Sequence, residues 1–142
     1  MASVISINIS EKKGEIKKPI KSGRLIAGFG LEGDAHAGDW HRQVSLLAQE
    51  SIDAMAAKGA QNLCPGIFAE NITTKGIELH TLPIGTKLHI GTCLLEVTQI
   101  GKECHNHCAI YKQVGSCVMP TQGIFAKVLA GGVVSQGDTI EV

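Results

Sequence analysis

The 142-residue chain carries thirteen basic and thirteen acidic side chains, so its formal net charge at pH 7 is zero. Because of this balance, the protein as a whole is not attracted electrostatically to nucleic acid or to an anionic membrane. An aromatic content of 4% also argues against a surface that stacks bases. Because a chain of this length can bury a core without disulfides or metal, we expect a single domain over residues 1–142.

The cysteine content and the N-terminus indicate where the protein works. Five cysteines are an odd number, and their spacing pairs none of them regularly. The N-terminus lacks the basic and apolar regions of a secretory signal, and no window approaches the ~18 consecutive apolar residues of a membrane span. We therefore expect reduced thiols, a cytoplasmic location and no membrane partner.

The N-terminal run alternates clearly between apolar and polar residues. Ile5, Ile7 and Ile9 share one face, and Val4, Ser6 and Asn8 lie on the other. This pattern predicts a strand with one buried face.

A polar connection over residues 11–22 follows this strand. Its lysines are Lys12, Lys13, Lys17, Lys18 and Lys21. A lysine run of this kind is usually a solvated loop and more rarely a rim that attracts anions. The clustering alone does not separate these two interpretations.

Short apolar or β-branched runs separated by glycine-rich turns continue to the last residue. Together with the first run they predict strands over residues 4–10, 24–29, 43–48, 68–73, 86–90, 94–100, 123–129 and 139–142. One helical pattern covers 49–58, where Ile52 and Met55 share a face. Gly59 follows as the C′ residue that ends the helix. Many short strands with one clear helix predict a β-barrel or a β-sandwich.

The run over residues 30–41 mixes glycine, carboxylate and imidazole. Glycine lets backbone approach a ligand closely, and a carboxylate beside a histidine orients its ring. We interpret the run first as a loop held by hydrogen bonds of Asp34 and His36, and next as a binding loop. Metal ligation by Asp34, His36 and His41 is a third interpretation, although their spacing matches no established metal-site pattern.

Several other residues have ordinary structural interpretations. Glu70 and Asn71 lie just before β-branched residues, where hydrogen bonding at a strand end is expected. His80 and His89 are interpreted as surface histidines of strands. Cys93, within a strand pattern, is expected to be buried in the core.

Chemistry is expected most strongly after the predicted strand 94–100, which Gly101 ends. Two cysteines and two histidines follow within the next seven residues, namely Cys104, His105, His107 and Cys108. Metal ligation by this segment alone is disfavoured, because structural zinc usually takes four ligands. A dithiol switch is also disfavoured, because the C-x-x-x-C spacing is one residue longer than the redox motif and follows no βαβ pattern.

A single reactive thiolate at Cys104 is the third chemistry. An unperturbed thiol with a pKa of ~8.5 is only a few per cent ionised at neutral pH. Lowering that pKa to ~7 makes about half of it reactive and requires ~2 kcal/mol of preferential stabilisation. Lys102, His105 and His107 could supply this stabilisation, whereas Glu103 works against it.

At this point the order of several motifs resembles the MOSC domain, the family named for the C-terminal domain of molybdenum-cofactor sulfurase. The motifs are GLEGDAHAG over 30–38, QVSLL over 43–47, PGIFAEN over 65–71, IGT over 84–86, LLEVTQ over 94–99 and the motif cysteine, Cys104. Each is modest alone, but their order and spacing over roughly residues 22–142 make a specific match.

The resemblance implies a mostly β, closed β-barrel-like fold of the pyruvate-kinase-barrel type, with one or a few short helices. It also implies a role in sulfur or molybdenum-cofactor chemistry. Cys104 would carry sulfane sulfur as a persulfide or, as in relatives that reduce N-hydroxylated compounds, would ligate molybdenum. Asp34 and His36 would shape the pocket, and Glu70 and Asn71 would border it.

The segment around the motif cysteine departs from the family pattern. Many members place proline immediately before this cysteine and often arginine ahead of it, whereas this chain has Glu103 and Lys102. Lys102, His105 and His107 are taken as further pocket residues. The extension to Cys108 leaves open a metal-binding variant in which this second cysteine is also a ligand.

The resemblance implies that sulfur comes from a cysteine desulfurase or another donor. It would pass to a molybdenum-cofactor biosynthesis protein or a molybdoenzyme. A sulfurtransferase, a molybdenum-cofactor-dependent enzyme and a non-catalytic module for pterin or oxoanion all stay open, as does a homo-oligomer. The molybdenum cofactor is the cofactor implied. Pyridoxal phosphate is not expected in this chain, because the desulfurase domain of longer relatives is absent, and no nucleic-acid partner is expected.

Overall fold

Strands dominate the computed structural model of the chain, which describes residues 2–12, 16–59, 63, 66, 68–101 and 122–142. The strands are β1 (Ser3–Ile9), β2 (Lys18–Ile20), β3 (Ser22–Ile26), β4 (Gly30–Leu31), β5 (Val44–Ala48), β6 (Ile72–Lys75), β7 (Lys87–Ile90), β8 (Cys93–Ile100), β9 (Ile124–Ala130), β10 (Gly132–Ser135) and β11 (Ile140–Glu141). Helix α1 spans Gln49–Ala57, and a short 3-10 helix spans Leu79–Thr81. The mostly β fold predicted from the sequence is confirmed.

The strands form one large and one small sheet. The large sheet has eight strands in the order β11-β7-β8-β9-β5-β6-β1-β2, and the small one has the order β10-β3-β4. Only β5 and β6 pair in parallel among the described strands. An isolated antiparallel bridge, Ser3↔Thr139, and a bond from Val4 N to Asp138 O (2.9 Å) connect β1 to the chain just before β11. Closure of the large sheet into a barrel stays a prediction.

The core lies between the apolar faces of these strands. On β8, Cys93, Leu95 and Val97 are buried while the alternate residues are partly exposed, as the period of two requires. Cys93 is 1% exposed, which confirms its interpretation as a core residue. The interpretation of His89 as a surface residue is also confirmed, since it is exposed on β7. His80 is exposed too, but it lies in the 3-10 helix and not on a strand.

Strand β1 differs from the prediction of one buried face. Ile7 is fully buried, but so are the polar residues Ser6 and Asn8 on the opposite face. The pairing of β1 with β6 shifts register between Val4 and Ser6, which marks a bulge at Ile5. A neighbouring layer of polar side chains covers the second face, and alternation within one strand could not reveal that layer.

Two strands lie where the sequence predicted connections. β2 falls inside the polar segment 11–22, and β10 begins at Gly132, where a turn was expected. β10 pairs with β3 through Gly132↔Leu25 to Ser135↔Ser22. The predicted second strand is correspondingly displaced: β3 ends at Ile26, and Phe29 N donates to Ile26 O (3.0 Å) in a turn. Pairing with distant strands decided these local conformations.

Helix α1 agrees with the predicted pattern. Ile52 and Met55 are buried, and Gly59 follows the Lys58 C-cap with φ +105°, as a C′ glycine does. Neither this helix nor any other in the described part of the chain is long and apolar enough to cross a membrane.

Candidate functional site

The carboxylate of Asp34 is the centre of a buried ion pair. Lys17 Nζ lies 2.7 Å from Asp34 Oδ1, and both side chains are 0% exposed. Oδ1 also accepts from Ser10 N (3.0 Å), and Oδ2 accepts from His36 N (3.0 Å). Lys17 Nζ donates in addition to Ser10 Oγ at 3.0 Å. The interpretation of the lysine run as a solvated loop is therefore wrong at Lys17, because this ammonium group is the internal counter-ion of a carboxylate.

These contacts keep Asp34 ionised. Burial alone would raise the pKa of its carboxyl group, but hydrogen bonds from four residues together outweigh burial and hold the pKa below its usual value of 3.8. The four residues are Lys17, Ser10, Asn71 and His36. His36 is itself buried, and its Nδ1 lies 3.8 Å from Asp34 Oδ2. The predicted pairing of a carboxylate with this imidazole is thus present as a close electrostatic contact.

Glu70 is a buried carboxylate of a different kind. Its oxygens accept from Gly66 N (3.0 Å), Phe68 N (3.2 Å) and Thr73 Oγ1 (2.8 Å). Burial raises the pKa of its carboxyl group despite these bonds. No ion pair with Glu70 occurs within the described ranges. The carboxylate therefore holds the backbone of the turn before β6.

Asn71 connects the two carboxylates. Its Oδ1 accepts from Ser45 N (3.0 Å) and Ser45 Oγ (3.1 Å), and its Nδ2 donates to Asn8 O (3.3 Å). Asn8 Nδ2 in turn donates to Glu70 O (3.2 Å). Asn71 also helps to lower the pKa of Asp34, so its side chain lies near that carboxylate and links the two sets of contacts. We call these groups the buried polar network; its members are Asn8, Ser10, Lys17, Asp34, His36, Ser45, Glu70, Asn71 and Thr73.

The structure thus brings together four of the residues predicted from the sequence to form a pocket: Asp34, His36, Glu70 and Asn71. All four are buried. The side chains of Asp34, Glu70 and Asn71 are hydrogen-bonded to backbone groups and to the side chains of Lys17, Ser45 and Thr73. Their role around a ligand stays a prediction. Sequence reasoning missed Lys17, since nothing in a lysine-rich run distinguishes the one ammonium group that is buried.

The other predicted site residues lie outside the described residues: Lys102, Cys104, His105, His107 and Cys108. The chain on either side of this segment is described. Gly101 N donates to Gly123 O at 2.6 Å, so the two ends of the segment are held side by side. They continue the antiparallel pair of β8 and β9, whose last register pair is Ile100↔Ile124.

A second polar cluster lies next to these two ends. Gln99 Oε1 accepts from His41 Nε2 (2.9 Å) and Arg42 Nε (3.0 Å), and Gln99 Nε2 donates to Gly101 O (2.8 Å). The guanidinium carbon of Arg42 lies 5.9 Å from the Trp40 ring centroid and 5.5 Å from that of Phe125. We call Trp40, His41, Arg42 and Gln99 the Gln99 cluster. Sequence reasoning singled out His41 but missed Arg42 and Gln99, which are 57 residues apart.

The described residues offer no metal site of their own. No group of three or more His, Cys, Asp or Glu side chains converges among them. The interpretation of Asp34, His36 and His41 as joint ligands is therefore wrong. His41 bonds to Gln99, and Asp34 is occupied by Lys17. The proposed ligands Cys104 and Cys108 lie outside the described residues, and their role stays a prediction.

The fold and the site define a class: a β-rich domain in which a segment bearing cysteine and histidine leaves and rejoins two paired strands. The family model of the MOSC domain matches residues 33–141, and the chain belongs to the MOSC domain family. The resemblance inferred from the motifs is thereby confirmed. The family is associated broadly with molybdenum-cofactor functions.

Several solved structures share the fold. The YuaD protein from Bacillus subtilis is 18% identical with a TM-score of 0.82, over 99% of this chain and 94% of that one. YiiM from Geobacillus stearothermophilus is 18% identical with a TM-score of 0.73, covering 99% and 74%. YiiM from Escherichia coli is 20% identical with a TM-score of 0.69, covering 99% and 69%. At these identities the likeness shows the fold alone. No curated protein matches the chain.

Proposed function

We propose that this protein is a cytoplasmic sulfur carrier or sulfurtransferase of molybdenum-cofactor maturation, with Cys104 carrying the sulfur as a persulfide. One observation carries the proposal: the chain belongs to the MOSC family. Cys104 follows the ordered motifs at the place where the resemblance implies the family's motif cysteine. The donor would be a cysteine desulfurase. The acceptor would be a molybdenum-cofactor biosynthesis protein or a molybdoenzyme.

The chemistry is a thiolate–persulfide exchange. The Cys104 thiolate attacks the outer sulfur of the donor's persulfide, a new S–S bond forms, and the donor's own S–S bond breaks. The electron pair of the broken bond leaves with the donor as its thiolate. An acceptor thiolate then removes the outer sulfur from Cys104 by the same exchange. Each step conserves the oxidation level, so no external oxidant or reductant is needed.

Basic residues close to Cys104 in the sequence support the proposal, because cations favour the thiolate over the thiol. Cys104 comes three positions after Gly101, and three extended residues span at most about 11 Å. The described cation nearest to Gly101 in the hydrogen-bond pattern is Arg42, which shares the Gln99 side chain with it. Lys102 lies two positions before Cys104 and His105 directly follows it, so both add basic groups, whereas Glu103, directly before Cys104, opposes them.

Among the described residues, no three metal-ligating side chains converge, and Asp34 is paired with Lys17. The residue that would ligate molybdenum, if the cofactor of the family binds here, is Cys104, which lies outside the described residues. A reductase that binds the cofactor through Cys104 is the competing hypothesis.

The proposal is tested by incubating the protein with a cysteine desulfurase and cysteine and then measuring its intact mass under non-reducing conditions. We expect the mass of one added sulfur atom, mapped to Cys104 by peptide analysis and removed by dithiothreitol. Cys104→Ser should remain unloaded. Cys108→Ser is the matched control, since it lies four residues away and should still load.

Two results would contradict the proposal. Wild-type protein that stays unmodified, or Cys104→Ser that loads equally well, would remove Cys104 as the carrier. Stoichiometric molybdenum and pterin in protein purified from cofactor-competent cells, lost in Cys104→Ser, would instead support the cofactor-binding reductase. Elemental analysis of the same preparations also tests for zinc.

A further inference from the structure

Arg42 is a cation without a carboxylate partner in the part of the chain that the structure describes. The ion pairs found there are Lys17–Asp34 and Lys127–Glu96, and the imidazole of His36 lies 3.8 Å from the Asp34 carboxylate. Arg42 is only half-buried, so water as well as protein surrounds its guanidinium group. A cation that the fold has positioned but not neutralised can accept an anion from outside.

Neutral groups fix the position of this guanidinium. Its carbon lies 5.9 Å from the Trp40 ring centroid and 5.5 Å from the Phe125 ring centroid. Such cation–π contacts hold an arginine without cancelling its charge. Arg42 donates through Nε alone to Gln99 Oε1 (3.0 Å), so within the described residues its two terminal nitrogens donate to no protein group. Those two nitrogens are the fork that binds oxoanions bidentately.

The chemistry of its partners fixes the orientation of the Gln99 amide. The Nε of arginine only donates, so the atom that receives it must be the amide oxygen. The other amide atom faces Gly101 O at 2.8 Å, and a carbonyl only accepts, so that atom must be nitrogen. His41 Nε2 therefore carries a proton, which it donates to Gln99 Oε1 at 2.9 Å.

A β-bulge aims Gln99 at this pair. On β8 the partner of Val97 is Ala126 and the partner of Gln99 is Phe125, so Thr98 is the extra residue. Thr98 Oγ1 faces two backbone carbonyl oxygens, His41 O and Phe125 O, and shares its one hydroxyl proton between them, which ties the bulge to the chain on either side. Bulges often re-aim side chains next to functional sites. The bulge in β8, the longest of the described strands, therefore positions Gln99 beside Arg42 and His41.

We infer that Arg42 is the binding site for a phosphate-type oxoanion on the molecule that exchanges sulfur at Cys104. Only the identity of that molecule rests on the proposed function. The double charge of a phosphate group suits the guanidinium fork better than the single charge of a carboxylate does. Gln99 is a positioning residue, because it acts by holding Arg42 and His41.

The test uses the tryptophan at the site. Trp40 is the only tryptophan of the chain, so its fluorescence reports on the Gln99 cluster directly. We would titrate the full chain with inorganic phosphate at constant ionic strength. A parallel titration with sodium acetate shows how tightly the site binds a carboxylate. Wild type should bind phosphate more tightly than acetate. Arg42→Gln should weaken phosphate binding at least ~10-fold, as expected for the loss of charge-assisted hydrogen bonds.

Two control variants distinguish phosphate binding at Arg42 from a general effect of positive surface charge. Arg24→Gln removes another arginine, one that is exposed on β3, and should change the affinity by less than about twofold, as expected for a distant surface charge under screening. Arg42→Lys keeps the charge but loses the fork, and should bind less tightly than wild type. Circular dichroism melts establish that each variant is folded.

The outcome is independent of sulfur loading, because the titration is repeated in Cys104→Ser. Retained phosphate binding in that variant supports the site whether or not wild type forms a persulfide. Equal phosphate affinity in wild type and Arg42→Gln would overturn the inference. Acetate binding as tight as phosphate binding would overturn the assignment to a phosphate-type group.

Discussion

The two polar regions of this molecule use their cations in opposite ways. In the buried polar network, Lys17 and Asp34 are both removed from water and lie 2.7 Å apart. In the Gln99 cluster, Arg42 is half-buried, and the described residues that hold it are two aromatic rings and an amide oxygen. A buried ammonium must be paired because its desolvation is expensive, whereas a partly hydrated guanidinium can stay unpaired at little cost.

This difference separates residues that stabilise the fold from residues that can meet a ligand. The carboxylates of Asp34 and Glu70 are saturated by protein donors, so their first role is to hold the loops before β5 and β6 in place. Within the described ranges, Arg42 retains donor groups that no protein atom accepts. Substitutions in the first region should therefore cost stability, and substitutions in the second should cost binding.

Lys17→Met gives the largest expected effect. It leaves the Asp34 carboxylate buried without its cation, so we expect a loss of about 3–5 kcal/mol in the free energy of unfolding, measured by urea denaturation. Arg42→Gln is the comparison, with an expected loss below about 1 kcal/mol because the group is partly exposed. Equal losses in the two variants would break the distinction between the two regions.

Gly66→Ala should have the next largest effect. Gly66 has φ +90°, and a Cβ there would lie 2.2 Å from Lys17 O, a backbone atom that cannot easily move. We expect a loss of about 2 kcal/mol or more in the free energy of unfolding.

Gly85→Ala is the matched control, since Gly85 has φ +95° but nothing within 4 Å of the added Cβ. We expect its free energy of unfolding to fall by only about 1 kcal/mol, which is the cost of placing a residue with a Cβ in this backbone conformation. If Gly85→Ala were as destabilising as Gly66→Ala, the contact between the added Cβ and Lys17 O would not be the cause of the larger loss expected for Gly66→Ala.

The pH dependence of stability should show the smallest effect, and it has opposite signs for the two buried carboxylates. Burial raises the folded-state pKa of Glu70 above its usual 4.5, so its contribution to stability is fully present below pH 4.5 and is lost as pH rises through the folded pKa. For Asp34, burial is outweighed by hydrogen bonds led by that of Lys17, and the pKa is lowered. Its contribution is present above pH 3.8 and is lost as pH falls through the folded pKa.

Glu70→Gln should therefore remove part of the decline in unfolding free energy on going from about pH 4.5 towards neutrality. Urea denaturation at several pH values measures the two slopes. Glu78→Gln serves as the control, because Glu78 is exposed and should leave the slope unchanged. If the plots of unfolding free energy against pH were parallel for wild type and Glu70→Gln, the Glu70 carboxyl group would have the same pKa in the folded and unfolded states, and the prediction would be wrong.

The sequence by itself determined the elements whose signals are local. Alternation on β8 located its buried face, the run before Gly59 located α1, and the ordered motifs identified the MOSC family. These signals are local because side-chain period and turn chemistry are properties of neighbouring residues.

Only the tertiary structure decided which polar groups are neutralised and which are left unpaired. Lys17 and its exposed neighbour Lys18 look alike in the sequence, yet only Lys17 faces Asp34. Arg42 and Gln99 come together because a bulge on β8 meets the chain before β5. The electrostatic energy of a charge depends on the water and the partners around it, and in a folded chain both are set by residues far away in sequence.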